Sequence, residues 1–245
     1  MYQTCIFDLY GTLVDIRTDE DKPELWQRLA LFYAYYGAYY NAEELRHTYG
    51  RLTAQLSSGK NAVRRDSHEA FPEIRIEDVF TEMFRIKGVS ADEPLVRHAG
   101  QFFRILSTER LCLYDGTEEM LKSLLKSGRK VYLLSNAQKI FTEYELNALR
   151  LTPYFDGIFI SSEHGCKKPD RYFFEKMIRT YDIDRSSAIM IGNDGVCDIR
   201  GAIQARLATL YVRTDISPKE VLPPADHVLE HMDMKRIADI LLAED

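Results

Sequence analysis

One carboxylate stands at the end of the first apolar run of the chain. Cys5, Ile6 and Phe7 lead into Asp8, and Gly11 and Thr12 follow before Leu13 and Val14. Strands buried on both faces read as short apolar runs, and open α/β sheets bind ligands beyond the carboxyl ends of their strands. A carboxylate at that spot serves as a nucleophile or a metal ligand; the ordinary alternative is an Asp that caps a turn. Three later stretches offer it partners: Ser135-Asn136, Lys168, and Asn193-Asp194 with Asp198 one helical turn on. Each has a plain reading too. Ser135-Asn136 is a common strand-to-turn pair, Lys168 could be a solvated loop lysine, and Asp194 and Asp198 suit a helix start, where negative charge is favoured. Collected at one sheet edge, the set would perform nucleophilic displacement on an anionic substrate. Asp8 attacks and forms an ester or acyl phosphate, Lys168 neutralises charge, and Thr12 and Ser135 hold the transferred group. Asp8, Asp194 and Asp198 offer oxygen ligands for Mg²⁺.

The elements that would position these residues can be read from periodicity. Apolar runs at 5–7, 130–134, 158–160, 187–191 and 208–212 read as strands. Helical patterns lie between them: 116–126, 140–149, 172–181, a helix carrying Ile199, Ala202 and Ile203, and a last one at 234–242. A short apolar piece, His227-Val228-Leu229, precedes the last helix. Such alternation implies a parallel sheet with helices on both faces. Residues 16–107 differ. Asp15 to Pro23 reads as a polar loop, and the rest shows helical faces with no convincing strand. One face is Leu25, Leu29, Phe32, Tyr33 and Tyr36, and another is Ile76, Val79, Phe80, Met83 and Phe84. Asn41 with Glu44 three residues on has capping-box spacing, and its helix is expected to stop at Ser57-Ser58-Gly59, before the basic residues Lys60, Arg64 and Arg65. The segment is too long for one crossover. We read an α/β protein: a core of residues 1–15 and 108–245 with a Rossmann-like parallel sheet, and a helical cap of residues 16–107 inserted after the first strand. The cluster Tyr33, Tyr35, Tyr36, Tyr39 and Tyr40 is expected to pack the cap.

The 245 residues are 45% hydrophobic and 29% charged, as in a globular chain, and the net charge is −6. That balance argues against nucleic acid as a partner, which needs clustered Lys and Arg, but allows a small anionic substrate in a local basic pocket. Cys5, Cys112, Cys166 and Cys197 show no metal-ligand spacing and are expected as free thiols. No run approaches a membrane span, and Met1 to Thr4 leads straight into a strand, leaving no room for a signal peptide. The expected location is the cytoplasm, with no membrane partner. Oligomeric state is not legible.

Taken together, the four stretches resemble the haloacid dehalogenase superfamily, whose members are mostly phosphatases. The resemblance rests on Phe7-Asp8-Leu9-Tyr10-Gly11-Thr12-Leu13, Leu134-Ser135-Asn136, Ser161 through Asp170 with Lys168, and Ile191-Gly192-Asn193-Asp194 through Ala202. It implies Asp8 as nucleophile, Ser135 as a group-binding hydroxyl, Lys168 as the charge-neutralising lysine, and a cap that shuts out water. There are two departures. The family's phosphatases carry a second Asp, the general acid and base, where this chain has Tyr10, and a Gly-Asp where it has Gly192-Asn193. A phenol is a poor base near neutrality unless its pKa falls. Asn193 can still offer its amide oxygen to a metal, and Tyr10 is counted with that set beside its own backbone carbonyl. Tyr10 resembles the 2-haloacid dehalogenase branch, in which Asp attacks carbon without metal. There an arginine follows the cap tryptophan; here Trp26 is followed by Gln27 and then Arg28, about 100° further round the helix. The leading expectation is a Mg²⁺-dependent phosphatase with Asp8, Tyr10 and Lys168 in the catalytic set and Thr12, Ser135, Asn136 and Arg28 against the substrate. A metal-free dehalogenase and a weakly active or non-catalytic binding protein are the alternatives.

Overall fold

The computed structural model describes residues 1–58, 73–219 and 223–243. Among them six strands form one parallel sheet. In chain order they are β1 (Thr4–Phe7), β4 (Lys130–Ser135), β5 (Gly157–Ile160), β6 (Ala188–Gly192), β7 (Ala208–Val212) and β8 (His227–Leu229). Their order across the sheet is β5-β4-β1-β6-β7-β8. The chain builds outward from β1 first to one side and then to the other, so β1 is the switch point, where open sheets leave a crevice beyond the strand ends. Register makes that crevice compact. Phe7 pairs with Leu133 on one side and with Ile191 on the other, so Asp8, Ser135 and Asn193 leave the sheet at nearly one level.

The strands are apolar because both faces are covered. Val131, Leu133, Ile189 and Ile191 pack with Phe7, Leu121 and Ile237 on one face. Ile6, Leu134 and Met190 pack with Phe173, Phe174 and Met177 on the other. The covering helices include α5 (Thr117–Lys126) and α9 (Met234–Leu242) on the first side and α7 (Arg171–Thr180) on the second. Asp170 caps α7 by accepting from the Tyr172 amide at 2.8 Å.

The segment after β1 is not the bare loop that its polarity suggests. Val14–Thr18 forms a strand, β2, antiparallel to β3 (Thr108–Leu113). The sequence reading misses this ribbon because both strands are short, half polar and far apart in the chain: each finds its partner only once residues 19–107 have folded back. The ribbon carries the chain out at 18 and back at 108. Between lie α1 (Pro23–Tyr35), α2 (Ala42–Ser58), α3 (Ile76–Ile86) and α4 (Glu93–Ser107), with no strand among the described residues. They close on their own apolar cluster, Leu25, Trp26, Leu29, Tyr33, Phe80, Phe84 and Phe103, which Ile140 and Phe141 of α6 (Lys139–Ala148) join. Asn41 caps α2 through the Glu44 amide at 2.8 Å, as its spacing predicts. Lys60, Arg64 and Arg65 lie outside the described residues, as does Gly59. The tyrosines divide: Tyr33 and Tyr40 are buried, whereas Tyr35 and Tyr39 are exposed.

The four cysteines are free. Burial pushes the Cys5 and Cys197 thiols up to about 12 and Cys166 up to about 11. A raised thiol pKa leaves little thiolate at pH 8, and the thiolate is the nucleophile. Peptide mapping after brief iodoacetamide treatment at pH 8 should therefore find the half-exposed Cys112 alkylated well ahead of the buried Cys5 and Cys166, which react only on unfolding. Early labelling of Cys5 would contradict the packing of β1.

Candidate active site

Asp8 and Lys168 meet at the end of β1. Lys168 Nζ donates to Asp8 Oδ1 at 2.6 Å, to Asp198 Oδ1 at 2.7 Å and to the Leu134 carbonyl at 2.8 Å. An ammonium has three N–H donors, and all three are used. The side chain is only 2% exposed, and the two carboxylates hold its pKa well above the usual lysine range, outweighing the burial that opposes them. Lys168 is therefore a fixed cation and not a solvated loop lysine. Asn136 sets it in place: its Oδ1 accepts from the Lys168 amide at 2.8 Å and its Nδ2 donates to the Lys168 carbonyl at 2.9 Å. Asn136 lines the pocket, but both polar ends of its side chain are spent on Lys168.

Asp198 is fully buried. Burial pushes its carboxyl up, and Lys168 pulls it back down. Its second oxygen accepts from the Asp194 amide at 2.9 Å. Gly192 makes this approach feasible, because a Cβ there would lie 2.3 Å from Asp198 Oδ2. The run expected as one helix starts as a π-helical turn, Gly195–Arg200, continued by α8 (Gly201–Gln204). Asp194 caps that turn, with Oδ1 accepting from the Val196 and Cys197 amides at 2.8 and 2.7 Å. Asp198, expected as a metal ligand, thus has both oxygens committed within the protein. Asp194 lines the pocket, and its second oxygen has no hydrogen bond among the described residues.

On the other side of Asp8, Thr12 Oγ1 lies 3.4 Å from Asp8 Oδ2 and 3.4 Å from Asn193 Oδ1. Gly11 stands at φ +82, and a Cβ there would come within 2.4 Å of Asn193 Nδ2, so the turn needs glycine both for its conformation and for its space. Ser135 is 1% exposed, and its buried hydroxyl has no hydrogen-bond partner among the described residues. An orphaned buried hydroxyl is costly, and a ligand oxygen would satisfy it.

Two expected residues fall elsewhere. Arg28 is exposed on α1 and does not line this pocket. The helix turns its apolar face, Leu25, Trp26 and Leu29, inward, and a residue two positions past Trp26 falls outside that face. Tyr10 lines the pocket, but its hydroxyl donates to Glu145 and lies 3.1 Å from Thr142 Oγ1, both on α6. Burial, and then the Glu145 charge, push the phenol well above its ordinary range. A phenol so placed is a poor base near neutrality, so the Tyr10 side chain contributes no proton acceptor to the pocket. Sequence reasoning also missed Arg104 on α4, whose Nε donates to Glu145 Oε1 at 2.6 Å and whose guanidinium lies 5.7 Å from the Tyr10 ring. Its one visible signal is its position on the inward helical face beside Phe103 and Ser107.

The cavity holds about 220 Å³ and is lined by Asp8, Tyr10, Lys168, Asn193, Asp194 and Ile216, among others. The donor set suits a hard divalent cation. Asp8 Oδ2 and Asn193 Oδ1 face one Thr12 hydroxyl, and the free oxygen of Asp194 adds a charge nearby. No group of three Asp, Glu, His or Cys side chains among the described residues could hold a metal by itself. A cation here would therefore rely on the Asn193 amide and on main-chain oxygen as well.

Comparison with known proteins agrees with this geometry. A family model for haloacid dehalogenase-like hydrolases matches residues 2–206. Among curated relatives, the chain is 26% identical over 133 residues to pyrimidine 5'-nucleotidase PynA of Streptococcus pneumoniae, covering 54% of this chain and 55% of that one. It is 29% identical over 168 residues to phosphoserine phosphatase of Thermus thermophilus, covering 69% and 64%. The matched stretches thus span about half to two thirds of those relatives. Among solved structures, a 2-haloacid dehalogenase from Pseudomonas syringae pv. Tomato shares the fold with TM-score 0.61 at 20% identity, covering 98% of each chain. The putative hydrolase YfnB of Bacillus subtilis, solved bound to magnesium, does so with TM-score 0.57 at 19% identity over 99% of each. No helix among the described residues is long and apolar enough to cross a membrane. By the match over residues 2–206, and with Asp8, Ser135, Lys168 and Asp198 meeting at one sheet edge, this chain belongs to the haloacid dehalogenase-like hydrolases.

Proposed function

We propose that the protein is a Mg²⁺-dependent phosphatase acting on a small phosphate ester, with Asp8 as nucleophile. The observation that carries this reading is the Lys168 ammonium, which grips one Asp8 oxygen and leaves the other toward Thr12 and Asn193. In the first step an Asp8 oxygen bonds to phosphorus and the P–O bond to the leaving group breaks. This gives an aspartyl phosphate and an alkoxide, which takes a proton from solvent because the Tyr10 phenol is held by Glu145. In the second step water attacks the phosphorus. Inorganic phosphate leaves, the Asp8 carboxylate returns, and the water's proton goes to solvent. Thr12 and the unpaired Ser135 hydroxyl hold phosphoryl oxygens, and Lys168 stays protonated throughout, offsetting charge on Asp8 and the phosphoryl group. Mg²⁺, held by Asp8, Asn193 and the Tyr10 carbonyl with Asp194 beside it, would supply further neutralisation of the phosphoryl charge.

The separate apolar clusters support a division into a hydrolase core of residues 1–15 and 108–245 and a helical cap of residues 16–107. A small anionic substrate suits the cavity volume. Attack on the carbon of a 2-haloacid is the second reading, favoured by Tyr10 at the pocket wall. The exposed position of Arg28 weighs against it, since a carboxylate substrate needs a second cation.

With no acid on Tyr10, leaving groups that need no proton should react best. Acetyl phosphate should be hydrolysed faster than glycerol phosphate by about 10² or more in kcat/KM, the worth of a general acid. Turnover of both should require Mg²⁺ and vanish in Asp8→Asn. Failure to release phosphate from any ester, with chloride release from 2-chloropropionate instead, would move the reaction to carbon. Lys168→Met leaves two buried carboxylates facing each other, so urea denaturation at pH 8 should show a loss of about 3 kcal/mol or more, partly recovered by adding Asp198→Asn. A loss under about 1 kcal/mol would mean that the lysine is not the anchor described here.

A further inference from the structure

Tyr10 is the pocket residue whose polar end leaves the site. Tyr10 lines the cavity with Ile216 and Pro218, while its hydroxyl reaches Glu145 on α6. Glu145 is 3% exposed. A carboxylate that deep is costly without a partner. Arg104 supplies one from α4, with Nε 2.6 Å from Oε1 and Nη2 3.4 Å from Oε2. The same guanidinium lies 5.7 Å from the Tyr10 ring centre and 5.2 Å from that of Phe141, within cation–π range. Helices α4 and α6 are close at this point, since a Cβ on Gly100, one turn before Arg104, would lie 2.5 Å from Ile140 Cδ1. Three segments distant in sequence are therefore joined through one carboxylate: the turn that carries the nucleophile, the last helix before β3, and the helix that follows Ser135.

We propose that Arg104 and Glu145 are positioning residues which hold the Tyr10 ring as a fixed wall of the Asp8 pocket, and that this wall restricts the site to phosphate esters with small leaving groups. The proposal rests on the phosphatase reading and adds a substrate class to it. The cavity of about 220 Å³ takes the phosphoryl group, and Tyr10 stands in its lining where the attached group must pass. A ring held at its backbone end by the turn and at its hydroxyl end by Glu145 cannot swing about χ1 to make room. Side chains locked by a supporting shell are what give a site its selectivity. The Arg104–Glu145 pair is neutral as a whole, so its contribution is to geometry and not to the field at Asp8. Tyr10→Phe keeps the ring and removes only the anchor, and Glu145→Gln weakens the anchor from the other side.

Phosphonates isolate this effect from catalysis, because their P–C bond is not cleaved by attack of Asp8. The probes are methylphosphonate and phenylphosphonate, titrated calorimetrically with Mg²⁺ present into wild type, Tyr10→Phe, Glu145→Gln, Arg104→Ala and Arg104→Lys. Wild type should prefer methylphosphonate by about tenfold or more. Tyr10→Phe, Glu145→Gln and Arg104→Ala should shrink that preference by about fivefold through tighter phenylphosphonate binding, with methylphosphonate changed by less than about twofold. Arg104→Lys should restore part of the preference. Trp26, whose ring is 5.8 Å from Phe103 beside Arg104, reports folding through its emission, and Tyr10→Phe, which removes one oxygen, decides the matter if the charged variants do not fold. An unchanged ratio in every folded variant, or parallel weakening of both phosphonates, would overturn the wall while leaving the phosphatase reading intact. Failure of wild type to bind either phosphonate would overturn that reading, and the proposal with it.

Discussion

A single ammonium organises the site. Lys168 spends its three donors on Asp8, Asp198 and the end of β4, and so ties three strands' loops to one point. Two carboxylates this close and this buried would repel each other without it, and a buried lysine without them would lose its proton. Other features follow from that constraint. Gly192 has no side chain because Asp198 must come close, and Asn136 gives up both ends of its amide to hold the Lys168 backbone. The sheet's contribution is register: β4 and β6 pair level with β1 and bring the three loops to one height.

The site departs from its family's phosphatases at Tyr10, and the structure gives that departure a physical form. The phenol turns away from Asp8 to a buried carboxylate on α6, and that carboxylate is balanced by an arginine from α4. A position that elsewhere handles protons here has its polar end tied to α6. Under the proposed phosphatase reading, the chemistry left to the pocket is attack by Asp8 with charge held by Lys168 and oxygen groups at Thr12, Ser135 and Asn193, which favours substrates whose leaving group needs little help.

Much of this was legible in the sequence. Short apolar runs ending in polar residues located the parallel strands, and the strand-end order of Asp8, Ser135, Lys168 and Asp198 pointed to one candidate site, because parallel strands present their carboxyl ends on one edge. What stayed hidden depended on contacts between distant segments. The β2–β3 ribbon joins strands about ninety residues apart that are individually too short and too polar to announce themselves. Asp194 and Asp198 look alike as carboxylates one turn apart, yet one caps a turn and the other pairs with Lys168, a division set by backbone geometry at a π-helical turn. Arg28 was legible as a cation near Trp26 but not as an exposed one, and Arg104 gave no chemical signal until α4 and α6 were seen side by side.

The central claim is that Asp8 forms a covalent bond to the transferred group, and chemical trapping tests it most directly. Enzyme turning over acetyl phosphate with Mg²⁺ is quenched, treated with borohydride, digested and examined by mass spectrometry. An aspartyl phosphate is an activated acyl group, which borohydride reduces to the alcohol, whereas a free carboxylate is untouched. The account predicts homoserine at position 8, dependent on substrate and absent from Asp8→Asn. Unmodified Asp8 in an enzyme that is visibly releasing phosphate would contradict it.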